Sequence, residues 1–130
     1  MNEFEIINKY FKKLALDKAS LNLNDDVFFD KKNKLVVSTD SYFEKVHFLN
    51  FVKPNLVIKK IIRSSISDLI CKGVSPKYIF ICASGKKSDF SKKNLIKILN
   101  SIKSEQKKFN IFIGGGDTVK SNILSFTVTT

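Results

Sequence analysis

Apolar residues recur at the three- and four-residue spacing of an α-helix in three separate stretches of the chain. The first predicts a short amphipathic N-terminal helix and consists of Phe4, Ile7, Tyr10, Phe11 and Leu14. The second runs from Asn55 to about Lys72, with Pro54 suited to its start and Gly73 to its end. The third covers residues 90–108. We therefore expect two main helices and a minor one.

Shorter runs of β-branched and aromatic residues predict strands between these helices. They comprise residues 27–29, 35–38, 78–83, 110–113 and 123–128. A polar loop is expected over residues 17–26 and a turn over residues 30–34. The pattern favours an α/β domain of the α+β type, with a mostly antiparallel sheet and two main helices on one face.

Length and composition agree with one domain, because 130 residues with 43 % hydrophobic content suffice for a core. Apolar runs such as Tyr78–Ala83 are far shorter than the roughly 18 residues that a membrane helix needs. Glu3 and Glu5 argue against a secretory signal. Cys71 and Cys82 fit neither a zinc pattern nor a disulfide framework, so we expect buried thiols in a reducing, cytoplasmic compartment.

The net charge of +11 raises the question of a nucleic-acid partner. Of the 23 basic residues, 22 are Lys and only Arg63 is Arg, although Arg is the side chain suited to bidentate phosphate and base contacts. The lysines are also scattered along the sequence. We therefore expect neither nucleic acid nor membrane as a partner, whereas a basic surface is compatible with an anion such as ATP.

Acidic residues are few, and four of them stand beside glycine, serine, threonine or asparagine. The four contexts are Asn24-Asp25-Asp26, Ser38-Thr39-Asp40, Ser67-Asp68 and Gly114-Gly115-Gly116-Asp117-Thr118. Mg²⁺ prefers oxygen ligands and often shares them with substrate phosphates. Glycines after a strand would let backbone N–H groups approach a phosphate. The sequence thus predicts a Mg-nucleotide site assembled from distant segments, without a P-loop motif.

Each motif also has a purely structural explanation. The triple glycine is compatible with a tight turn, Asp40 with a helix cap or turn at a strand end, and Asp25-Asp26 with a solvated loop. Asp68 is compatible with the exposed edge of an apolar helix, where Ser64 and Ser65 share its face. His47, the only histidine, is compatible with a structural role.

The order of the motifs resembles that of the thiamine-monophosphate kinase family. The matching stretches are Asn2–Glu5, Asn24–Asp26, Leu35–Asp40, Glu44–Phe48, Ser67–Leu69 followed by Gly73, and Ile113–Thr118. The resemblance implies the ATP-binding, amino-terminal domain of the fold shared with aminoimidazole ribonucleotide synthetase. In this family ATP phosphorylates thiamine phosphate to thiamine diphosphate.

The resemblance also implies a set of site residues. Those that look like magnesium ligands are Asp26, Ser38, Thr39, Asp40, Asp68 and Asp117. Gly116 and Asp117 look like nucleotide contacts, and His47 looks like a thiamine-phosphate contact. The chain then forms one ATP- and Mg²⁺-binding domain over residues 1–130, an N-terminal fragment without the family's C-terminal domain. A homodimer is implied as well.

The chain departs from the family pattern at four positions. Asn24 stands where the family usually has Gly, Lys45 where it has Gly, Ser65 where it has Asn, and Lys120 where it has Arg. Two relatives of the same fold are alternatives: aminoimidazole ribonucleotide synthetase, and selenophosphate synthetase, which expects a reactive Cys before Cys71 that this chain lacks. A non-catalytic Mg-nucleotide-binding or dimerisation module is the alternative from another class.

Overall fold

The N-terminal segment of the computed structural model, which describes residues 1–130, is helical but irregular. Helix α1 (Glu3–Ile6) is capped by Asn2, whose Oδ1 accepts the Glu5 N–H at 2.9 Å. A π-helical turn (Ile7–Phe11) and a 3₁₀ turn (Lys12–Leu14) follow. The predicted helix is confirmed in position, but none of its residues is buried, and Phe4 is 74 % exposed.

Five strands that follow this segment along the chain form one sheet. They are β1 (Val27–Asp30), β2 (Leu35–Phe43), β3 (Tyr78–Gly85), β4 (Phe112–Lys120) and β5 (Ser125–Thr129). Their order across the sheet is β1-β2-β5-β3-β4. Only the pair β3–β4 is parallel, so the prediction of a mostly antiparallel sheet is confirmed.

Two long helices pack on one face of the sheet, as predicted. They are α2 (Pro54–Cys71) and α3 (Lys92–Phe109). Gly73 ends α2 in the left-handed conformation at φ 74°. Its N–H bonds to the Ile70 carbonyl at 2.9 Å, and the Val74 N–H bonds to the Leu69 carbonyl at 3.0 Å. This pair of bonds satisfies two carbonyls of the last turn, which explains why glycine suits this position.

The core lies between α2 and the sheet. Its members are Tyr42, Phe48, Phe51, Val57, Ile58, Ile61, Ile62, Ile66, Ile79, Ile98, Ile111, Leu124, Phe126 and Val128. Helix α3 is tied to α2 by an ion pair in which Arg63 Nε donates to Glu105 at 2.7 Å and Arg63 Nη2 donates at 3.1 Å. Glu105 is only 1 % exposed, so this bidentate pair compensates a buried carboxylate. No helix is long and apolar enough to cross a membrane.

Two strands are longer than the sequence pattern indicates. Strand β2 continues to Phe43 because residues 39–43 pair with β5, so Asp40 lies inside a strand rather than at its end. Strand β4 continues through the triple glycine to Lys120, so these glycines form no turn. Pairing with neighbouring strands extends both segments beyond what local propensity supports.

The expectation of two buried thiols is wrong. Cys71 and Cys82 are both exposed. Cys71 is the last residue of α2, and Cys82 lies on the sheet face that no helix covers. Neither position is in the apolar layer between α2 and the sheet, so these cysteines pack in no core.

Candidate functional site

The alternation of strand β2 brings an acidic side chain under helix α2. Ser38, Asp40 and Tyr42 share one face of the strand, because side chains two residues apart point the same way. Ser38 and Tyr42 are buried, and Asp40 is half-buried. Asp68 comes from the last turns of α2 and meets this row from above. Two carboxylates thus face each other between the sheet and the helix.

Hydroxyl groups hold both carboxylates in place. Ser38 Oγ donates to Asp68 Oδ2 at 3.1 Å, and the Tyr42 hydroxyl donates to Asp40 Oδ2 at 3.3 Å. The Tyr42 hydroxyl is also 2.9 Å from Ser65 Oγ on α2. Each carboxylate therefore receives one hydrogen bond from a buried hydroxyl of β2.

The electrostatics of this pair disfavour two negative charges. Burial raises the pKa of Asp40 above its ordinary value, and the negative charge of Asp68 raises it further. Asp26 adds a smaller repulsion of the same sign. Burial also raises the pKa of Tyr42, which keeps its hydroxyl protonated as a donor. A cation between these carboxylates would offset the repulsion.

The carboxylates open into a cleft of about 330 Å³ at the surface. Its lining residues are Asp26, Asp40, Ser41, Tyr42, His47, Ser64 and Asp68. His47 Nδ1 accepts the Phe43 N–H at 3.0 Å, which assigns the proton of the neutral ring to Nε2. The exposed imidazole edge is therefore a hydrogen-bond donor. The cleft combines acidic oxygens with one donor, an arrangement suited to a cation and a phosphate.

Two of the other predicted site residues, Thr39 and Asp117, lie away from this cleft. Thr39 points to the opposite face of the sheet, where its Oγ1 lies 2.9 Å from Thr129 Oγ1. Asp117 is on β4, three strands from β2, which corresponds to about 14 Å at the usual strand spacing. Its carboxylate accepts the adjacent Thr118 N–H at 2.8 Å.

Asp25, next to Asp26, has its own cation. Lys72 donates to Asp25 at 2.7 Å, and this bond lowers the pKa of the Asp25 carboxyl. A lysine at the end of α2 therefore offsets the repulsion between the adjacent carboxylates Asp25 and Asp26. Only Asp26 of this pair lines the cleft.

The glycines before Asp117 have a structural role in the sheet. Gly116 has φ 157°, and a Cβ atom in this conformation would lie 1.9 Å from the Ile81 carbonyl oxygen of β3, so no side chain fits at this position. A Cβ atom on Gly114 would lie 2.5 Å from the Phe80 ring, which lies over β4. These contacts account for glycine at two of the three positions before any ligand is considered.

Sequence reasoning overlooked Tyr42 as a member of the cleft. Its position two residues after Asp40 in a predicted strand is the signal that could have found it. Ser64 shares the Asp68 face of the helix, as its spacing predicts, and it lines the cleft.

The residues present fit a Mg²⁺ ion only in part. Asp26, Asp40 and Asp68 supply the hard oxygen ligands that this ion prefers, and the pKa of Asp40 is raised by burial first and by the negative charge of Asp68 second. However, no three Asp, Glu, His or Cys side chains converge closely enough to form a finished metal-binding group. The cleft is a set of ligands that would have to draw together around the ion.

The comparisons with known proteins define the class. The sequence matches the family described as AIR synthase related protein, N-terminal domain, over residues 17–130. The chain belongs to this family, because the match covers most of its length. The prediction of an aminoimidazole-ribonucleotide-synthetase-like fold is confirmed.

Individual relatives carry a more particular name. The thiamine-monophosphate kinase of Haemophilus influenzae is 32 % identical over 135 residues, which cover 99 % of this chain and 40 % of the relative. The thiamine-monophosphate kinase of Buchnera aphidicola subsp. Schizaphis graminum is 36 % identical over 138 residues, which cover 98 % of this chain and 40 % of the relative. The chain thus spans about 40 % of the length of these relatives.

Solved structures agree with the sequence comparison. The structure of AaThiL complexed with AMPPCP and TMP superimposes with a TM-score of 0.83 at 25 % identity, covering 99 % of this chain and 42 % of that one. The thiamine monophosphate kinase of Aquifex aeolicus gives a TM-score of 0.79 at the same identity and the same coverage. Escherichia coli HypE, with a TM-score of 0.57 at 20 % identity, shares the fold over 97 % of this chain and 42 % of its own length.

Proposed function

We propose that this chain is the ATP- and Mg²⁺-binding N-terminal domain of a kinase that phosphorylates thiamine phosphate to thiamine diphosphate in the cytoplasm. One observation carries the proposal: Asp26, Asp40, Asp68 and His47 share one cleft in a domain related to thiamine-monophosphate kinases along nearly its whole length. A relative of the same fold has been solved with AMPPCP and TMP.

The proposed roles follow from the chemistry of each side chain. Asp26, Asp40 and Asp68 would hold Mg²⁺, which when bound neutralises phosphate charge during phosphoryl transfer. Ser38 keeps Asp68 in position through its 3.1 Å hydrogen bond. The Nε2–H of His47 would donate to the phosphate of the acceptor, since its Nδ1 is already engaged. No covalent enzyme intermediate is required.

The remaining predicted ligands belong to a second part of the proposed site. Gly116 and Asp117 would contact the nucleotide, and Thr39 and Asp117 are the two proposed magnesium ligands that lie outside the cleft. Thr39 and Asp117 lie on the same face of the sheet, the face that no helix covers. A nucleotide bound there would need further polypeptide to enclose it, because every residue of β4 is exposed.

The same uncovered face supports the proposal of a homodimer. Its centre carries hydroxyl pairs between strands, including Ser41 with Thr127 at 2.8 Å and Ser84 with Ser125 at 2.8 Å. Exposed aromatic side chains surround this centre: Phe28, Phe43, Tyr78, Phe80 and Phe112. A polar centre within an aromatic rim is a surface that a second copy of the sheet would cover.

The decisive experiment joins this chain to the part of the Haemophilus influenzae relative that follows the matched region. We expect the chimera to form thiamine diphosphate from ATP and thiamine phosphate, and Asp40→Asn and Asp68→Asn to abolish turnover. The 130-residue chain alone should show little or no turnover, because water would reach the reacting phosphate in a half-enclosed site. The function is wrong if a folded chimera consumes ATP without forming thiamine diphosphate.

A second candidate is a Mg-nucleotide-binding or dimerisation module without turnover. The distance of Asp117 from the cleft and the 40 % coverage of the relatives favour it. Calorimetric titration of ATP with and without Mg²⁺ distinguishes the two. Metal-dependent nucleotide binding by an inactive, folded chimera supports the module, and activity of the chimera excludes it.

A further inference from the structure

Tyr42 connects helix α2 to the acidic cleft through its hydroxyl group. Its ring belongs to the core, where Tyr42 pairs in register with the buried Phe126 of β5, and the residue is only 6 % exposed. Its hydroxyl oxygen lies 2.9 Å from Ser65 Oγ and 3.3 Å from Asp40 Oδ2. No other hydroxyl or amide donates to the Asp40 side chain. The packed ring thus fixes the position of the one donor that reaches this carboxylate.

The number of protons sets the direction of these hydrogen bonds. A tyrosine hydroxyl has one hydrogen, and an ionised Asp40 only accepts. If Tyr42 donated to Ser65, its oxygen lone pairs would face the Asp40 carboxylate at 3.3 Å and repel it. The favourable arrangement is that Ser65 donates to Tyr42 and Tyr42 donates to Asp40. Ser65 is 1 % exposed, so its hydroxyl group is shielded from bulk solvent.

We infer that Tyr42 is a positioning residue: together with Ser65 it holds Asp40 in the orientation in which this carboxylate binds a divalent cation in the cleft. The inference rests on the proposed function only in taking Asp40 as a cation ligand. Partners that orient a metal-binding carboxylate typically change metal affinity by about 10- to 100-fold when they are removed. Tyr42 therefore acts on cation affinity without touching the cation.

The test uses the 130-residue chain and Mn²⁺ alone, titrated calorimetrically at neutral pH. Tyr42→Phe keeps the packed ring and removes the hydroxyl, so we expect Mn²⁺ to bind about tenfold more weakly. Ser65→Ala should weaken binding less, because Tyr42 still reaches Asp40. In the double variant Tyr42→Phe/Ser65→Asn, the longer carboxamide supplies an N–H donor near the lost hydroxyl, and affinity should recover at least in part.

Ile98→Val is the matched control for a merely structural effect. Ile98 is a buried core residue on α3 and does not line the acidic cleft. It should lower the melting temperature in EDTA as Tyr42→Phe does, while leaving Mn²⁺ affinity unchanged. Recovery in the double variant would support positioning, because a stability defect is not repaired by a second polar substitution in the same place.

Three results would overturn the inference. They are wild-type Mn²⁺ affinity in Tyr42→Phe, an equal loss of affinity in Ile98→Val, and no Mn²⁺ binding by the wild-type chain. Failure of the proposed function gives a different outcome. A chimera without thiamine diphosphate formation, in a chain whose Mn²⁺ affinity depends on Tyr42, would reject the kinase and leave the positioning role intact.

Discussion

At the scale of single residues, the loop that carries His47 has a strained backbone at Lys45. Lys45 has φ 66°, in the left-handed region, and its N–H bonds to the Phe48 carbonyl at 2.6 Å. A residue with a Cβ atom is strained there by roughly 1–2 kcal/mol. A glycine at this position would relieve the strain.

Replacing Lys45 by Gly should therefore stabilise the protein. We expect the free energy of unfolding to rise by about 0.5–1 kcal/mol, because the relieved strain exceeds the entropy cost of glycine. Lys45→Val should lower it, since a β-branched residue tolerates positive φ poorly. Urea denaturation measures both. Lys86→Gly, in a turn without positive φ, is the control and should not stabilise.

The pKa of Asp40 predicts an unusual dependence of stability on pH. Because its folded pKa is raised, the folded state loses stability as the pH rises from about the ordinary value of 3.8 through the raised value. Asp40→Asn should then melt at a higher temperature than the wild type at pH 7 in EDTA, and the gain should disappear near pH 3. Asp25→Asn should act in the opposite direction at pH 7, because Lys72 lowers the pKa of Asp25.

Added Mg²⁺ provides the second half of this experiment. It should raise the melting temperature of the wild type and leave that of Asp40→Asn unchanged, since the variant lacks one of the three proposed carboxylate ligands. A stabilisation by Mg²⁺ of the same size in both proteins would contradict the assignment of Asp40 as a ligand.

The sequence identifies the acidic residues of the cleft but not their partners. Asp26, Asp40 and Asp68 stand out because carboxylates are scarce and their neighbours are small. The contribution of Tyr42 depends on Ser65, 23 positions away on a helix, and no local pattern reveals that distance. The exposure of Cys71 and Cys82 was mispredicted for the same reason, because their solvent contact depends on which faces the helices cover.

At the scale of secondary structure, the glycines of β4 lie where the local sequence pattern predicts a loop but the structure has a strand. Glycine usually weakens a strand, so three in a row predict a loop. The close approach of β4 to the Ile81 carbonyl reverses this expectation, because only a residue without Cβ fits at position 116. The long helices were predictable to within two residues, since their apolar periodicity extends over 18 residues each.

Gly116→Ala should therefore separate β4 from β3. We expect a loss of about 2–4 kcal/mol in the free energy of unfolding, as is typical when backbone atoms must move apart. Gly114→Ala is the matched control, because it meets only the Phe80 ring, a side chain that can rotate. Gly114→Ala should lower the free energy of unfolding by less, and this smaller loss should vanish when Phe80 is also replaced by Leu. Equal costs at both positions in chemical denaturation would refute the close-approach explanation.

At the scale of the whole molecule, charge is distributed by layer. Helices α2 and α3 carry nine of the basic residues and only two acidic ones, Asp68 and Glu105. Both acids are already engaged, Asp68 with Ser38 and Glu105 with Arg63. Eight of the 22 lysines thus lie on the two long helices, whereas the uncovered sheet face carries mainly hydroxyl and aromatic groups.

This distribution predicts which face mediates self-association. Thr127→Arg, at the centre of the uncovered sheet face, should convert the proposed dimer to a monomer, because two copies would bury like charges opposite each other. Light scattering on a size-exclusion column measures the mass. Ser104→Arg, on the exposed surface of α3, is the control and should leave the mass of the dimer unchanged. A monomeric wild type would reject the dimer.

The position of β4 at the edge of the sheet has a consequence for dynamics. This strand bonds to β3 alone, has three consecutive glycines and buries none of its nine residues. Amide hydrogens of β4 that point away from β3 should exchange with solvent almost freely, and those that point toward β3 should exchange sooner than the amides of β5. We therefore expect a graded stability, in which β4 opens before the pairing of β2 with β5 is lost.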